Sequence, residues 1–314
     1  MKYCKICGFN SSKIILGTDG FGERTDEKTA FEIMDAYACN GGNHLDSARL
    51  YAGGRSEEIV GRWLKGKNRA DFFVATKGAH PRIETMDVPR LSLSEIESDA
   101  DKSLAALGVD EIDLYWLHRD CESVDVGGIV ESLNTLIKKG KIKAIGASNW
   151  RSERIAAANA YAKQHNLQGF TAGQIRFSPA STAPDFVGDT TLVEMNAKEF
   201  EFYKNEGITA VGFASQAKGF FSKYISGGVE NLSPKAKERY FCAENVKKAQ
   251  TVKNLSEKYS VSAAAIVCAA MTSVDTANVM PIIGSKNAEQ LNDSVSSSDL
   301  VLTPEEVRSL IEYV

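Results

Sequence analysis

The chain has 314 residues, of which 37 are Lys or Arg and 41 are Asp or Glu, so its formal net charge is −4. Hydrophobic residues make up 43% and charged residues 25%, proportions that exclude long disorder, a collagen-like repeat and a disulfide-stapled miniprotein. The weakly acidic balance lacks the basic surface that attracts nucleic acids and anionic membranes, so we expect neither as a partner.

The N-terminal segment lacks the apolar core and the small-residue cleavage site of a signal peptide, and no apolar run approaches the roughly 20 residues of a membrane span. We therefore expect a cytoplasmic protein whose six cysteines are mostly free thiols. Cys4 and Cys7 form a C-x-x-C pair that could bind a metal or act in redox chemistry. Without a second pair or nearby histidines, two ordinary thiols in an N-terminal strand are the favoured interpretation.

Eight short apolar runs alternate with longer helical patterns along the chain. The runs are rich in β-branched and aromatic residues, and they are continuous rather than alternating, which is typical of strands buried on both faces. The predicted strands cover residues 14–17, 45–47, 72–77, 112–118, 142–148, 173–177, 208–214 and 279–284.

Helix signals lie between these runs. Ser92 and Glu95 make a capping signal before a helix that Gly108 ends. The segment Thr303–Glu306 opens the last helix with a cap, a first-turn proline and a box glutamate. The alanine-rich stretch Ala263–Met271 is apolar on nearly every side, which predicts an inner helix.

Together these elements predict a (β/α)8 barrel forming one domain over residues 1–314. A small hairpin over residues 2–15, turning at residues 8–10, is expected before the first barrel strand, and an extra helix is expected near Ala243–Tyr259. An open doubly wound sheet is the structural alternative, but no G-x-G-x-x-G string opens a helix directly after the first strand.

Ionisable side chains collect at the predicted C-terminal ends of the strands, where such barrels carry their functional groups. Asp46, Lys77 and His118 lie at three consecutive strand ends, and Tyr51 follows on a loop. A phenol has a pKa of about 10; a nearby ammonium lowers that pKa, and a carboxylate keeps a buried ammonium charged. With a histidine bonded to the reacting oxygen, this set could protonate an alkoxide as hydride reaches a carbonyl carbon.

Five strings in succession resemble the motifs of the aldo-keto reductase family, in a bacterial-type subgroup, over essentially the whole chain. They are LDSARLYAGGRSEEIVG at 45–61, ATKG at 75–78, IDLYWLHRD at 112–120, IGASNW at 145–150 and PIIGSKNAEQL at 281–291. The resemblance implies a barrel enzyme that transfers a hydride between NADP(H) and a small carbonyl or alcohol substrate.

The resemblance also implies roles for individual residues. Tyr51 would be the general acid, Lys77 would lower its pKa, Asp46 would hold Lys77, and His118 would orient the carbonyl. The residues it assigns to the cofactor are Gly17 and Thr18; Ser148, Asn149 and Gln174 at the carboxamide; Phe177 stacked on the nicotinamide; Ser215, Gln216 and Lys218 at the pyrophosphate; and Gly284, Ser285, Lys286, Gln290 and Asp293 toward the adenosine and its 2′-phosphate.

Two tryptophans are assigned differently. Trp116 lies two residues before His118 and is expected in the barrel core, whereas Trp150 is a candidate wall of the substrate pocket. No cluster of His, Cys and carboxylates has metal-ligand spacing, so no metal is expected.

Two other functions stay open at the level of sequence. A lysine at a barrel strand end, here Lys77, could form a Schiff base with a carbonyl substrate in a lyase. A barrel of this kind could also serve as a regulatory subunit that binds NADP without turnover. The order and spacing of the four catalytic candidates favour the reductase.

Overall fold

The computed structural model describes all 314 residues and begins with an antiparallel hairpin, as predicted. Its strands are β1 (Tyr3–Ile6) and β2 (Phe9–Ser12). Cys7 and Gly8 make the turn, with φ of 47° and 81°. The expected turn at residues 8–10 is wrong, because a two-residue turn at positive φ matches the twist of the strands and lets pairing resume at once.

Eight parallel strands follow and close into a barrel in which each strand pairs with the next along the chain and the last pairs with the first. All eight predicted strands are confirmed, each within one residue at either end. They are β3 (Ile15–Gly17), β4 (His44–Asp46), β5 (Phe73–Gly78), β6 (Ile112–Leu117), β7 (Ile142–Ser148), β8 (Ala172–Arg176), β9 (Thr209–Phe213) and β10 (Val279–Ile283).

Helices surround the barrel and connect consecutive strands. Three extra helices, α7 to α9, are inserted after β9, and α12 follows the last barrel helix. The helices are α1 (Glu27–Cys39), α2 (Arg55–Leu64), α3 (Leu93–Leu107), α4 (Val126–Lys138), α5 (Ser152–Gln164), α6 (Ala197–Glu206), α7 (Phe220–Gly227), α8 (Pro234–Tyr240), α9 (Ala243–Tyr259), α10 (Ala263–Thr272), α11 (Ala288–Val295) and α12 (Pro304–Arg308). None of them is long and apolar enough to span a bilayer.

The helix caps follow the sequence signals with one exception. Gly108 ends α3 in the left-handed conformation, and Thr303 forms a complete capping box with Glu306. Ser92 precedes α3 as expected, but its hydroxyl bonds the Glu95 carboxylate at 2.7 Å instead of a backbone N–H. The signal marks the start of α3 correctly, but the Ser92 side chain does not cap the helix backbone.

Apolar side chains fill the interior of the barrel. Trp116 is fully buried there, which confirms its assignment to the core, and Ile6 reaches the same cluster from the hairpin. Gly146 provides the room for the indole, because a Cβ at this position would lie 2.2 Å from the Trp116 ring. The hairpin thus covers the end of the barrel at which the strands begin.

Candidate active site

Four polar groups converge at the other end of the barrel. Asp46 ends β4, Lys77 lies in β5, His118 directly follows β6, and Tyr51 begins a 3₁₀ turn after β4. Because β4, β5 and β6 are adjacent and parallel, their C-terminal ends meet at one place. The structure brings together the four residues that were predicted to be catalytic.

Lys77 is the centre of this group and is 1% exposed. Its ammonium donates to Asp46 Oδ2, to the Ser47 carbonyl at 2.8 Å and to the Tyr51 hydroxyl at 3.1 Å. An ammonium has three donors, so every one of them has a partner. Burial alone would lower the pKa of Lys77, but the Asp46 carboxylate and the Tyr51 phenol raise it overall, which keeps the side chain charged.

The hydroxyl of Tyr51 accepts the bond from Lys77, so its own hydrogen is available for another acceptor. Burial raises the pKa of Tyr51, and the Lys77 ammonium opposes that rise. The lysine therefore acts in the expected direction, while burial outweighs it. The phenol stays protonated at neutral pH and can donate a proton.

His118 stands beside Tyr51, with ring centroids 6.0 Å apart and ring planes at 81°. Burial lowers the pKa of His118 well below its usual value, and the charges of Lys77 and Arg119 lower it further. The imidazole is thus neutral and offers one N–H donor. Its Nδ1 is buried and has no partner within the chain.

The residues predicted at the carboxamide lie on, or directly after, the two strands that follow β6. Gln174 donates from Nε2 to Asp46 Oδ1 at 3.0 Å, so its amide is oriented by the catalytic group. Asn149 has a φ of 59°, and its Nδ2 donates to Ser148 Oγ at 3.2 Å. Their contact with a cofactor stays a prediction.

The two aromatic candidates are both buried. Phe177 is 1% exposed and stacks on Tyr313, with ring centroids 6.2 Å apart. Trp150 is fully buried and packs edge-on against Phe170, with Arg154 over its ring. The nicotinamide and substrate roles assigned to these rings stay predictions.

The loop after β9 carries the residues assigned to the pyrophosphate. Ser215 Oγ donates to the Ile282 carbonyl at 2.5 Å, and Gln216 Nε2 donates to Ser294 Oγ at 2.9 Å. Lys218 has a φ of 56°. Partial burial lowers its pKa, and the nearby charges of Arg239, Lys235 and Arg24 lower it further.

The segment after β10 carries the residues assigned to the adenosine end. Lys286 is exposed, and its backbone N–H donates to Gln290 Oε1 at 2.8 Å. Ser285 Oγ is buried without a hydrogen-bond partner. Gly284 and Asp293 are both exposed.

Gly17 and Thr18 end the first barrel strand, and both have contacts inside the barrel wall. A Cβ at Gly17 would lie 2.6 Å from the Ile282 side chain, so close strand packing requires glycine here. The Thr18 hydroxyl contacts the Asp46 carbonyl at 3.2 Å and Ser56 Oγ at 2.8 Å. These contacts support the strand end that carries Asp46, and the cofactor role of both residues stays a prediction.

Comparison with known proteins identifies the family. The sequence profile described as "Aldo/keto reductase family" matches residues 13–313, nearly the whole chain. The chain belongs to the aldo/keto reductase family. Members of this family are oxidoreductases that interconvert carbonyl and alcohol groups of small molecules, and they generally use NAD(P)H.

Curated relatives of this aldo/keto reductase carry oxidoreductase names. The chain is 31% identical to the uncharacterized oxidoreductase YrpG of Bacillus subtilis, over 98% of this chain and 94% of the relative. It is 27% identical to norsolorinic acid reductase stcV of Emericella nidulans, covering 98% and 80%. It is 25% identical to aryl-alcohol dehydrogenase GME11368 of Pestalotiopsis microspora, covering 93% and 73%.

Two features of this aldo/keto reductase fit a nicotinamide dinucleotide. The positive charges of Arg239, Lys235 and Arg24 act on Lys218, opposed by the Asp19 carboxylate that pairs with Arg24, and a net positive charge next to a helix N-terminus suits a pyrophosphate. That helix is α7, which begins after Gly219 without a side-chain cap; the N–H of its first residue, Phe220, donates to the Ala217 carbonyl. The buried, unpartnered Ser285 hydroxyl lies beside Lys286 and suits a phosphate oxygen.

Sequence reasoning missed the support beneath the Tyr51 loop. Gly53 and Gly54 have positive φ, and a Cβ at Gly54 would lie 0.9 Å from Arg49 Nη2. Arg49 Nη1 in turn lies 2.9 Å from Glu57 Oε2, a fully buried carboxylate that accepts from Thr76 Oγ1 at 2.6 Å. The signal in the sequence is an acidic residue within the apolar face of α2.

His80 was not among the residues predicted from the sequence, yet it lies against the catalytic group. Its ring centroid is 4.8 Å from that of His118, and its Nδ1 is 2.6 Å from the Pro81 carbonyl. His80 also lines an open cavity of about 570 Å³, and its contact with His118 places that cavity beside the catalytic group. Its position three residues after Lys77 was the only available signal. No group of three or more His, Cys, Asp or Glu side chains lies close enough to hold a metal ion.

Proposed function

We propose that this chain is an NADPH-dependent reductase of aldehydes or ketones, acting reversibly, with Tyr51 as the general acid. The observation that carries the proposal is the Tyr51 hydroxyl, which accepts from Lys77 and keeps its own hydrogen available. A bound nicotinamide supplies the hydride. The chain itself has to position the carbonyl and deliver the proton.

Lys77 and Asp46 prepare Tyr51 for proton transfer. As the phenol loses its proton to the substrate oxygen, the buried ammonium 3.1 Å away stabilises the phenolate that forms. Asp46 keeps the ammonium charged and in place through a buried ion pair. The neutral His118 donates a hydrogen bond to the same substrate oxygen and orients it toward Tyr51.

NADPH is preferred over NADH in this proposal because of the segment after β10. Ser285 offers a buried hydroxyl without a partner, and Lys286 offers an exposed ammonium. Together they suit the 2′-phosphate, which NADH lacks. We propose a cytoplasmic location, where reducing conditions suit the six free cysteines.

The names of two relatives, an aryl-alcohol dehydrogenase and a norsolorinic acid reductase, support interconversion of alcohols and carbonyls by this chain. The raised pKa of Lys77 keeps its amine protonated. This disfavours the Schiff-base alternative, since a nucleophilic amine needs an unprotonated nitrogen.

Titration of the purified protein with NADPH and NADH, followed by tryptophan fluorescence, tests the cofactor. We expect micromolar binding of NADPH and much weaker binding of NADH. Consumption of NADPH with a panel of aldehydes and ketones then tests turnover. Binding without turnover would favour a regulatory subunit. Absence of binding, together with borohydride trapping of a substrate on Lys77, would favour the lyase.

A further inference from the structure

The cavity beside the catalytic group has an apolar wall and two charged side chains, Arg119 and Asp189. Leu50, Ile83 and Met86 supply apolar surface, and Arg119 lines the same cavity. His80 also lines the cavity and packs on His118 with ring centroids 4.8 Å apart, so the cavity adjoins the proposed hydrogen-bond donor to the carbonyl. The wall suits the apolar body of a substrate.

The Arg119 side chain is largely buried but loosely paired. Its side chain is 11% exposed, and its only carboxylate partner, Asp189, lies 3.3 Å from Nη2. Charge-assisted bonds of this type are usually about 2.7–2.9 Å long. Its other bonds go to neutral acceptors, the His118 carbonyl at 2.9 Å and Thr191 Oγ1 at 3.0 Å.

Other arginines of this chain show what full pairing looks like. Arg90 donates two hydrogen bonds of 2.8 and 2.9 Å to the Asp99 carboxylate, and Arg154 donates two of 3.0 and 2.9 Å to the Asp120 carboxylate. A guanidinium has five N–H donors, and Arg119 uses three. One N–H on each terminal nitrogen has no partner.

Asp189 is poorly placed to complete the pairing. Its Oδ1 accepts from the backbone and the hydroxyl of Thr191, at 2.9 and 2.6 Å, so the carboxylate is tied into its own loop. It is also 39% exposed, far more than Arg119. The positive charge at the cavity is therefore less compensated than at the bidentate pairs.

We infer that this enzyme prefers carbonyl substrates that carry a carboxylate, and that Arg119 binds this carboxylate. The substrate's apolar body packs on Leu50, Ile83 and Met86, while its carbonyl reaches Tyr51. The two unused N–H donors of Arg119 match the two oxygens of a carboxylate. The inference rests on the proposed carbonyl reduction and names its substrate class.

The test compares 4-formylbenzoate with its methyl ester as substrates of the full-length enzyme with NADPH. The ester is the more electron-withdrawing group, so intrinsic reactivity favours the neutral aldehyde. We expect kcat/KM for the carboxylate to exceed that for the ester by at least about tenfold. The difference should appear mainly in KM, because the carboxylate contact lies away from the reacting atoms.

Two variants change this ratio in opposite directions. R119Q removes the anchor, so the ratio should fall toward one. D189N removes the competing carboxylate, so the ratio should rise above that of the wild type. If the pair served only to hold the loop, both variants would change the two substrates in proportion and leave the ratio unaltered.

Each result decides between the two proposals. Reduction of both aldehydes with equal kcat/KM in the wild type overturns the carboxylate preference and leaves carbonyl reduction standing. Reduction of neither aldehyde, nor of any member of the carbonyl panel, overturns the proposed function and the inference with it. Should R119Q fail to fold, the wild-type ratio and D189N still decide the question.

Discussion

The two ends of the barrel differ in the contacts of their polar groups and in their backbone geometry. At the end where the strands begin, the Tyr37 hydroxyl donates to the Ile14 carbonyl at 2.6 Å and contacts Ser12 Oγ at 2.8 Å. His44 Nδ1 pairs with Ser11 Oγ at 2.9 Å. The hairpin covers this end, and the hydroxyls of its Ser11 and Ser12 bond to His44 and Tyr37 of the barrel, while His44 Nε2 has no partner.

At the end where the strands finish, non-glycine residues with positive φ are concentrated. Of the nine non-glycine residues with positive φ, six follow the C-terminal ends of barrel strands: Ala52, Ala79, Asn149, Ala214, Ala217 and Lys218. His118 Nδ1 and Ser285 Oγ are buried there without partners. Strain and unpaired groups of this kind persist where the surrounding structure imposes them. The backbone strain thus lies at the end that carries the candidate active site, and the hairpin contacts lie at the other end.

The largest contrast should come from removing one tyrosine hydroxyl at each end. Tyr51→Phe should lower kcat for carbonyl reduction by at least about 100-fold, because it removes the general acid, and should leave the dissociation constant for NADPH nearly unchanged. Tyr37→Phe should leave kcat/KM unchanged and lower the free energy of unfolding by about 1–3 kcal/mol. Steady-state kinetics and urea denaturation measure the two effects. Wild-type kcat in the Tyr51 variant would rule out the mechanism.

The next contrast lies within the Tyr51 loop. Gly53→Ala and Gly54→Ala each place a side chain at positive φ, but only the second one collides with Arg49. We expect Gly54→Ala to lower kcat/KM about tenfold or more, since Arg49 must move and the loop with it. Gly53→Ala should cost stability alone, of about 1 kcal/mol. Equal kinetics for the two variants would show that Arg49 does not position the loop.

The cofactor preference tests the residues after β10, at the end of the barrel that carries the candidate active site. Lys286→Ala should weaken NADPH binding by about 10- to 100-fold, because a phosphate loses a charged partner. NADH binding should change little. The two dissociation constants from fluorescence titration give the result, and an equal loss for both cofactors would contradict the 2′-phosphate assignment. Lys235→Ala, in the cationic group around Lys218, serves as the matched control and should weaken both cofactors alike.

Mild acid should lower the free energy of unfolding through His44, at the hairpin-covered end of the barrel. Burial lowers the pKa of His44 to about 3, below the usual value of about 6.5. The neutral form is favoured in the folded state, so this stability is complete above pH 6.5 and declines as the pH falls toward 3. The expected slope approaches about 1.4 kcal/mol per pH unit for this group.

Replacing the histidine tests that assignment. His44→Asn should flatten the pH dependence of the urea midpoint between pH 6.5 and 4, whereas His165→Asn, at an exposed position, should leave it as in the wild type. His118 also has a lowered pKa because of its burial, so part of the slope will persist. An unchanged slope in the His44 variant would mean that His44 titrates normally in the folded protein.

Most of the fold followed from local patterns. The eight apolar runs appear as the eight barrel strands, and the stretches at 243–259 and 263–271 appear as helices. The errors were confined to short-range details: the hairpin turn is at Cys7 and Gly8, and the Ser92 hydroxyl donates to the Glu95 side chain. In both cases two local solutions were compatible with the same residues.

The candidate site was predictable only in part. Asp46, Lys77 and His118 could be found because a parallel barrel gathers its strand ends. His80 and Arg119 were not predicted, because their positions at the cavity depend on how a distant loop, residues 188–191, folds beside them. Arg119 is adjacent to His118 in sequence, yet its incomplete pairing depends on Asp189, seventy residues away.

Sequence alone therefore determined the barrel, the order of its strands and the polar groups at their ends, because burial on both faces of a parallel strand leaves a pattern in the residues of that strand. Tertiary structure decided which donor meets which acceptor. The open hydrogen of Tyr51, the neutral His118 and the loosely paired Arg119 each depend on distances of a few ångströms between segments far apart in the chain. Hydrogen bonds and charges respond to such distances, and no local pattern encodes them.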